Sequence, residues 1–257
     1  MDLPTSLMLF AAGLAGGTLS SLVGGAAVVT FPALLASGLS PIVAVASGLM
    51  ALTPGNFLAA LYDRGQLPPM NRAFIGLVAA SLLGALGGAI LLMATPARVF
   101  EVLVPLLLGF ATLLFAYSGK ISAWLRARAE AAGRAHRPFS GTNFFALLPV
   151  SVYGGYFGAG VGVLILAVLS LGGTGDYRAT NVTKNLITSL NSLIAALLFA
   201  SRGAVSWPPT LIMMAGAIIG AMVGARLAQV APRAVMRVVV VAVGALLTVI
   251  YAWRYWF

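Results

Sequence analysis

The run from 177 to 201 carries the side chains best placed to do chemistry: Asn181, Thr183, Lys184, Asn185, Thr188, Asn191 and Ser192 in an otherwise apolar stretch. At helical pitch, all of these except Thr183 fall within an arc of about 120°. Lys184 is the stripe's only full charge, and burying it at the bilayer centre costs about 2.5–3.5 kcal/mol on insertion scales. It must therefore face a cavity, meet an anion, pair with an acid, or snorkel to the nearer interface. Asp63, Glu101 and Asp176 all lie near segment ends, so no carboxylate is available at its depth. The chemistry on offer is anion recognition: one cation, with amides and hydroxyls supplying directional hydrogen bonds. The matching stretch 40–61 offers a sparser set, Ser47, Thr53 and Asn56, interrupted by Pro54-Gly55.

Those stretches need a scaffold, and composition says which kind. Of 257 residues, 61% are hydrophobic and 8% charged, with a mean hydropathy of +1.04. An ordinary soluble domain is about 25% charged. A soluble enzyme, a disordered chain and a coiled coil are excluded, which leaves an all-α, polytopic, multi-pass protein of the cell (plasma or inner) membrane. The lipid bilayer is its first partner. The net charge of +10 belongs to cytoplasmic loops rather than to a nucleic-acid surface. Cysteine is absent and the single histidine, His136, lies in the most charged loop. Metal ligation, redox chemistry and His-based catalysis therefore have no residues to use, and no cofactor is expected. A membrane-embedded enzyme would also lack an acidic pair for magnesium. A structural or lipid-handling membrane protein is the other alternative; the clustered asparagines and Lys184 argue against it. Met1–Pro4 has no basic n-region and the apolar stretch runs past a signal-peptide core, so it is read as part of the mature protein.

Eight hydrophobic segments are readable, at about 5–37, 40–61, 70–94, 97–118, 142–172, 177–201, 208–229 and 233–256. A basic loop, 119–141, divides them into halves 1–118 and 142–257. The halves repeat: Gly16-Gly17 recurs as Gly154-Gly155, Ser40 as Asp176, Arg64-Gly65 as Arg202-Gly203, and Pro68-Pro69 as Pro208-Pro209. Small residues recur every fourth position at Gly13, Gly17, Ser21 and Gly25, at Gly76, Ala80, Gly84 and Gly88, and at Gly216, Gly220, Gly224 and Ala228, as helix-packing stripes do. The opening segment of each half is too long for one span and too short for two. Each is broken by glycine, at Gly24-Gly25 and at Gly158, Gly160 and Gly162. Discontinuous segments at corresponding places in two halves point to a transporter's binding site. If each opening segment is a hairpin returning to its own side, Arg178, Arg226, Arg233 and Arg237 join the 119–141 loop inside the cell, as the positive-inside rule prefers. The halves are then inverted, with both termini outside.

The run Gly13–Leu35, ending Gly24-Gly25-Ala26-Ala27-Val28-Val29-Thr30-Phe31-Pro32-Ala33-Leu34-Leu35, resembles the glycine-rich signature that opens the sulfite exporter TauE/SafE family. A degenerate copy stands at Tyr153–Gly162. The resemblance covers nearly the whole chain and implies a permease exporting sulfite, an organosulfonate or a related sulfur anion. It places Ser47-Gly48 and Thr183-Lys184 where the family carries small hydroxyl residues. Two departures stand out: three glycines are reduced to Gly24-Gly25, and a lysine follows Thr183. The expected substrate site thus joins Gly24, Gly25, Gly160 and Gly162 at the breaks with Ser47, Thr53 and Asn56 on one helix and Asn181, Thr183, Lys184, Asn185, Thr188 and Asn191 on the other. A homo-oligomer is allowed by the sequence and not required by it.

Overall fold

The computed structural model describes residues 1–22, 24–131, 141–170, 177–227 and 233–256. Asp176, His136 and the rest of 132–140 in the basic loop lie outside them. The described residues are all-helical: α1 (Leu3–Leu22), α2 (Ala27–Ala36), α3 (Pro41–Tyr62), α4 (Arg72–Ala94), α5 (Ala97–Ala131), α6 (Gly141–Tyr156), α7 (Val161–Ser170), α8 (Tyr177–Ser201), α9 (Trp207–Leu227) and α10 (Arg233–Trp256). Six of these are long and apolar enough to span a bilayer: α1, α3, α4, α5, α8 and α9. Their outward faces carry large apolar side chains such as Leu83, Leu106, Leu113 and Leu211, which suit lipid rather than water. The molecule is a multi-pass membrane protein.

One boundary differs from the sequence reading. The fourth segment was expected to end at 118, but α5 continues to Ala131. Ile121, Trp124 and Leu125, interleaved with alanine, arginine and glutamate, are good helix formers in an amphipathic order, so no helix stop intervenes.

The opening segments are broken where the glycines stand. Gly24 (φ +89°), Gly158 (φ +77°) and Gly160 (φ +76°) adopt left-handed backbone that L side chains resist, so the helices stop there. Helix directions follow from cross-helix contacts. Phe10, Leu14 and Thr18 lie against Gly216, Gly220 and Gly224, so α1 and α9 are parallel. Ser47 Oγ accepts from Ser206 N, and Gly55 packs on Ala217 and Ala221, so α3 is parallel to α9 as well. Two successive long helices running the same way require a return between them, and α2 provides it, with Thr30 against Gly16 and Leu34 beside Gly48. In the second half, Gly84 and Gly88 set α4 parallel to α6, against Leu148 and Val152. Helix α8 is antiparallel to α3: Arg178 pairs with Asp63 at 2.6 Å and Ser189 Oγ donates to Thr53 O at 3.2 Å. It follows that α6 and α8 are parallel and that α7 is the return. Helices α5 and α10 run antiparallel, joining Val102 to Trp256 and Thr112 to Gly244. Each opening segment therefore comes back to the side it started from, and α1, α3 and α5 run opposite to α6, α8 and α10.

The glycine ladders make this packing close. A Cβ on Gly13, Gly17, Gly88 or Gly220 would sit about 2 Å from a carbonyl oxygen of the facing helix. At such separations backbones touch directly, and weak Cα–H···O contacts supplement dispersion. Gly25 and Gly76 depart from the ladders: the first meets the Phe115 ring and the second only approaches Phe144.

Candidate functional site

The two breaks meet. A Cβ on Gly24 would lie 2.6 Å from Gly162 Cα, so the backbones of the two hairpins touch there. Phe157 stands beside this contact, edge-on to Phe31 at 5.3 Å, and Phe100 packs behind it at 6.3 Å.

Beside this contact lies a cavity of about 460 Å³, its open mouth included. Its polar lining is Ser20, Thr30, Asn56, Thr188 and Ser192, and none of its described lining residues is acidic. Gly24, Ala26 and Ala27 bring the first turn of α2 to the wall; Gly158 and Val161 bring the start of α7. Helix starts present backbone N–H groups without intrahelical acceptors and the positive end of the helix dipole. Ser20 Oγ donates to Asn56 Oδ1 at 2.6 Å, which orients that amide. Thr188 Oγ1 is buried and, among the described residues, has no hydrogen-bond partner. Asymmetry is plain in the wall itself, where α3 gives Val45, Gly48, Leu49 and Leu52 beside one amide, Asn56, while α8 gives only hydroxyls, Thr188 and Ser192.

Lys184 is 1% exposed and does not line the cavity. Its Nζ donates to Ser20 O at 2.8 Å and to Ser21 O at 3.4 Å, and Asn181 Nδ2 donates to Ser21 O at 3.2 Å. These are last-turn carbonyls of α1. The amide of Gly24, which would serve Ser20 O in a continuing helix, bonds Leu19 O instead. A helix ending inside a membrane leaves such carbonyls unsatisfied and its negative dipole end exposed. Lys184 answers both. Each charge-assisted bond contributes about 1.5–3 kcal/mol, which offsets an insertion cost of similar size. The ammonium thus sits one residue's width from the cavity, behind Ser20, and cancels a dipole that would otherwise repel an anion.

The other expected residues divide by location. Gly24, Asn56 and Thr188 line the cavity. Asn181 joins Lys184 at the end of α1, and Asn185 is buried one residue further on with Oδ1 unpartnered among the described residues. Asn191 belongs to a separate cluster, its Nδ2 reaching Ser81 O, Ser81 Oγ and Ser151 O. Ser47 accepts from Ser206 N at the start of α9. Thr53 and Thr183 each turn back to a carbonyl of their own helix, Leu49 O and Ala179 O. Gly25 meets Phe115, Gly160 faces Ala111, and Gly162 lies against Gly24. Sequence reasoning missed Ser20, Thr30, Phe31 and Phe157. The signal for Ser20 was there, since a Ser20-Ser21 pair immediately precedes the glycine break.

Comparison with known proteins agrees with this architecture. The profile of the sulfite exporter TauE/SafE family matches residues 9–251. The chain is 28% identical over 245 residues to the probable membrane transporter protein YfcA of Escherichia coli K12, covering 94% of this chain and 87% of that one. It is 26% identical over 254 residues to a probable membrane transporter protein of Haemophilus influenzae, covering 96% and 95%. It is 31% identical over 229 residues to the probable membrane transporter protein ORF9 of a Sinorhizobium species, covering 86% and 82%. No solved structure matches it. With a helical membrane fold, two broken segments meeting beside a cavity, and a family match over nearly its whole length, the chain belongs to the sulfite exporter TauE/SafE family of membrane transporters.

Proposed function

We propose that this transporter carries a small sulfur oxyanion, sulfite or an organosulfonate, and that it exports it. The observation that carries the reading is the cavity between the breaks: hydroxyls from Ser20, Thr30, Thr188 and Ser192, the Asn56 amide, two helix starts, and no acidic residue among the described lining. Such a site offers donors to an oxyanion and no carboxylate to repel it. In this reading Asn56 and Thr188 contact the anion, while Lys184, Asn181 and Asn185 set the positive potential from behind Ser20. Glycines 24, 25, 160 and 162 give the breaks their shape, and Ser47, Thr53, Thr183 and Asn191 hold the surrounding helices in place.

The test is thermal stability of the purified protein across sulfite, sulfonates, sulfate, acetate and chloride. Sulfite or a sulfonate should raise the melting temperature at concentrations where acetate does not. Thr188→Val should weaken that response about tenfold, the equivalent of about 1.4 kcal/mol, and Lys184→Ala should weaken it while the protein stays folded. A shift with carboxylates alone would move the substrate class away from sulfur anions. A full response in Thr188→Val would move the site out of this cavity.

The same proposal holds that halves 1–118 and 142–257 work as inverted repeats, joined by the basic 119–141 loop on the cytoplasmic side. The opposed helix directions and the Asp63–Arg178 pair support it, since that pair requires the end of α3 and the start of α8 to lie on one side. The chain has no cysteine, so Gly65→Cys and Arg202→Cys can be labelled singly with an impermeant reagent in intact cells. Opposite accessibilities are expected, with Arg202→Cys outside; equal accessibility would remove the inverted arrangement.

A further inference from the structure

We infer that the Lys184 ammonium is a tethered cation filling a monovalent-cation site built from the end of α1, so that the transporter runs without sodium or any other coupling cation. The site is made of oxygen. Ser20 O and Ser21 O accept from Nζ at 2.8 and 3.4 Å, and neither is needed by the Gly24 amide, which bonds Leu19 O. Asn181 and Asn185, three residues before Lys184 and one after it, each hold a buried Oδ1 that has no partner among the described residues. Freed carbonyls at the end of a broken membrane helix are the ligands that hold a sodium ion in other transporters. Here the chain supplies the charge itself.

The matching helix sharpens the point. Aligning the start of α3 on the start of α8, Pro41 on Tyr177, sets Gly48 at the place of Lys184. A glycine there brings no side chain, and Gly48 borders the cavity. The lysine is thus an addition confined to one helix of the pair, and it lies on carbonyls that a mobile ion would otherwise have to satisfy. Among the described residues no carboxylate bonds it. A free ion at this place would come and go with the transport cycle, whereas a tethered one stays.

The experiment uses the purified full-length protein without added substrate, so its result does not depend on which anion is carried. Thermal unfolding is followed in sodium, methylammonium and choline chlorides at equal concentration; choline is too large for the site and chloride is common to all. Wild type should unfold at the same temperature in all three. Lys184→Ala should be stabilised saturably by methylammonium or sodium over choline, by about 3–6 °C at a tenfold excess over the dissociation constant. Lys184→Met, which fills the space with an uncharged chain of similar length, should show no such response. Should Lys184→Ala not fold in choline, recovery of folded protein on expression with methylammonium is the supporting result. Lys184→Ser, which leaves the space open, then serves as the second neutral variant. Wild type stabilised by sodium over choline would overturn the inference, as would Lys184→Ala and Lys184→Ser both indifferent to every cation.

Discussion

Helices α3 and α8 follow the two broken opening segments and stand side by side at the centre of the molecule, yet their inward faces carry opposite chemistry. With Pro41 set on Tyr177, Val45 falls at Asn181, Gly48 at Lys184, Leu49 at Asn185 and Leu52 at Thr188. The α3 residues give an apolar wall to the cavity. Their α8 counterparts are buried too, and two of them, Asn181 and Lys184, bond carbonyls at the broken end of α1. The contrast is confined to these four positions: one turn further on in the same register Asn56 and Ser192 both line the cavity, and the first half also gives it Ser20 and Thr30. The two breaks are served differently: Lys184 reaches Ser20 O and Ser21 O at the end of α1, while at the end of α6 Tyr153 O accepts from both Phe157 N and Gly158 N.

The breaks themselves offer the largest test of that difference. The register that sets Gly16 on Gly154 also sets Gly24 on Gly162, and a Cβ on either would lie 2.6 Å from the Cα of the other. Alanine at either position should therefore cost several kcal/mol and sharply reduce the yield of monodisperse protein. Only Gly24 is also left-handed, at φ +89°, which adds about 1–2 kcal/mol. Gly24→Ala should be the more damaging, read as yield and melting temperature. Equal losses would mean that close approach alone matters at this contact.

A middling effect is expected at the asparagines. Asn191 Nδ2 reaches three acceptors between α4 and α6, whereas Asn56 accepts from Ser20 at the cavity wall. Interhelical hydrogen bonds in membranes contribute about 0.6 kcal/mol each on average. Asn191→Ala should thus lower stability by about 1–2 kcal/mol and leave anion response intact. Asn56→Ala should lose less stability and most of the response. Finding the two effects exchanged would put the substrate at the Ser81–Ser151 cluster instead.

The smallest effect separates Ser47 from its register mate Thr183. Ser47 Oγ is the acceptor for Ser206 N, while Thr183 Oγ1 bonds only its own helix. Ser47→Ala should cost about 0.5–1 kcal/mol by freeing that amide, and Thr183→Ala close to nothing. Calorimetric melting of both variants checks this.

Much of this arrangement is written in residue types. Glycine pairs announce the breaks because few other residues tolerate the turn, and fourfold spacing announces the packing faces because a helix has no other way to present small residues in a row. The polar stripe of α8 is equally legible, since each of its members would be costly against lipid. What each member bonds is not. Lys184 is held by backbone carbonyls, which every residue possesses, so no residue type marks them in advance. Thr30 and Phe31 escaped notice because α2 reads as plain apolar helix until it folds back over α3. The extension of α5 to Ala131 was hidden by its charges, which read as loop although arginine and glutamate favour helix.

Anion passage through the cavity is the central claim, and efflux from proteoliposomes under a clamped membrane potential tests it most directly. Each elementary charge moved across 100 mV is worth about 2.3 kcal/mol, and the described acids Asp2, Asp63, Glu101 and Glu130 all sit at or near helix ends. The account predicts that sulfite or sulfonate efflux follows voltage alone, persists with the proton and sodium gradients set to zero, and falls at least tenfold in Thr188→Val. Efflux that collapses without a proton gradient and is abolished by Asp63→Asn or Glu101→Gln, or that is unchanged in Thr188→Val, would contradict it.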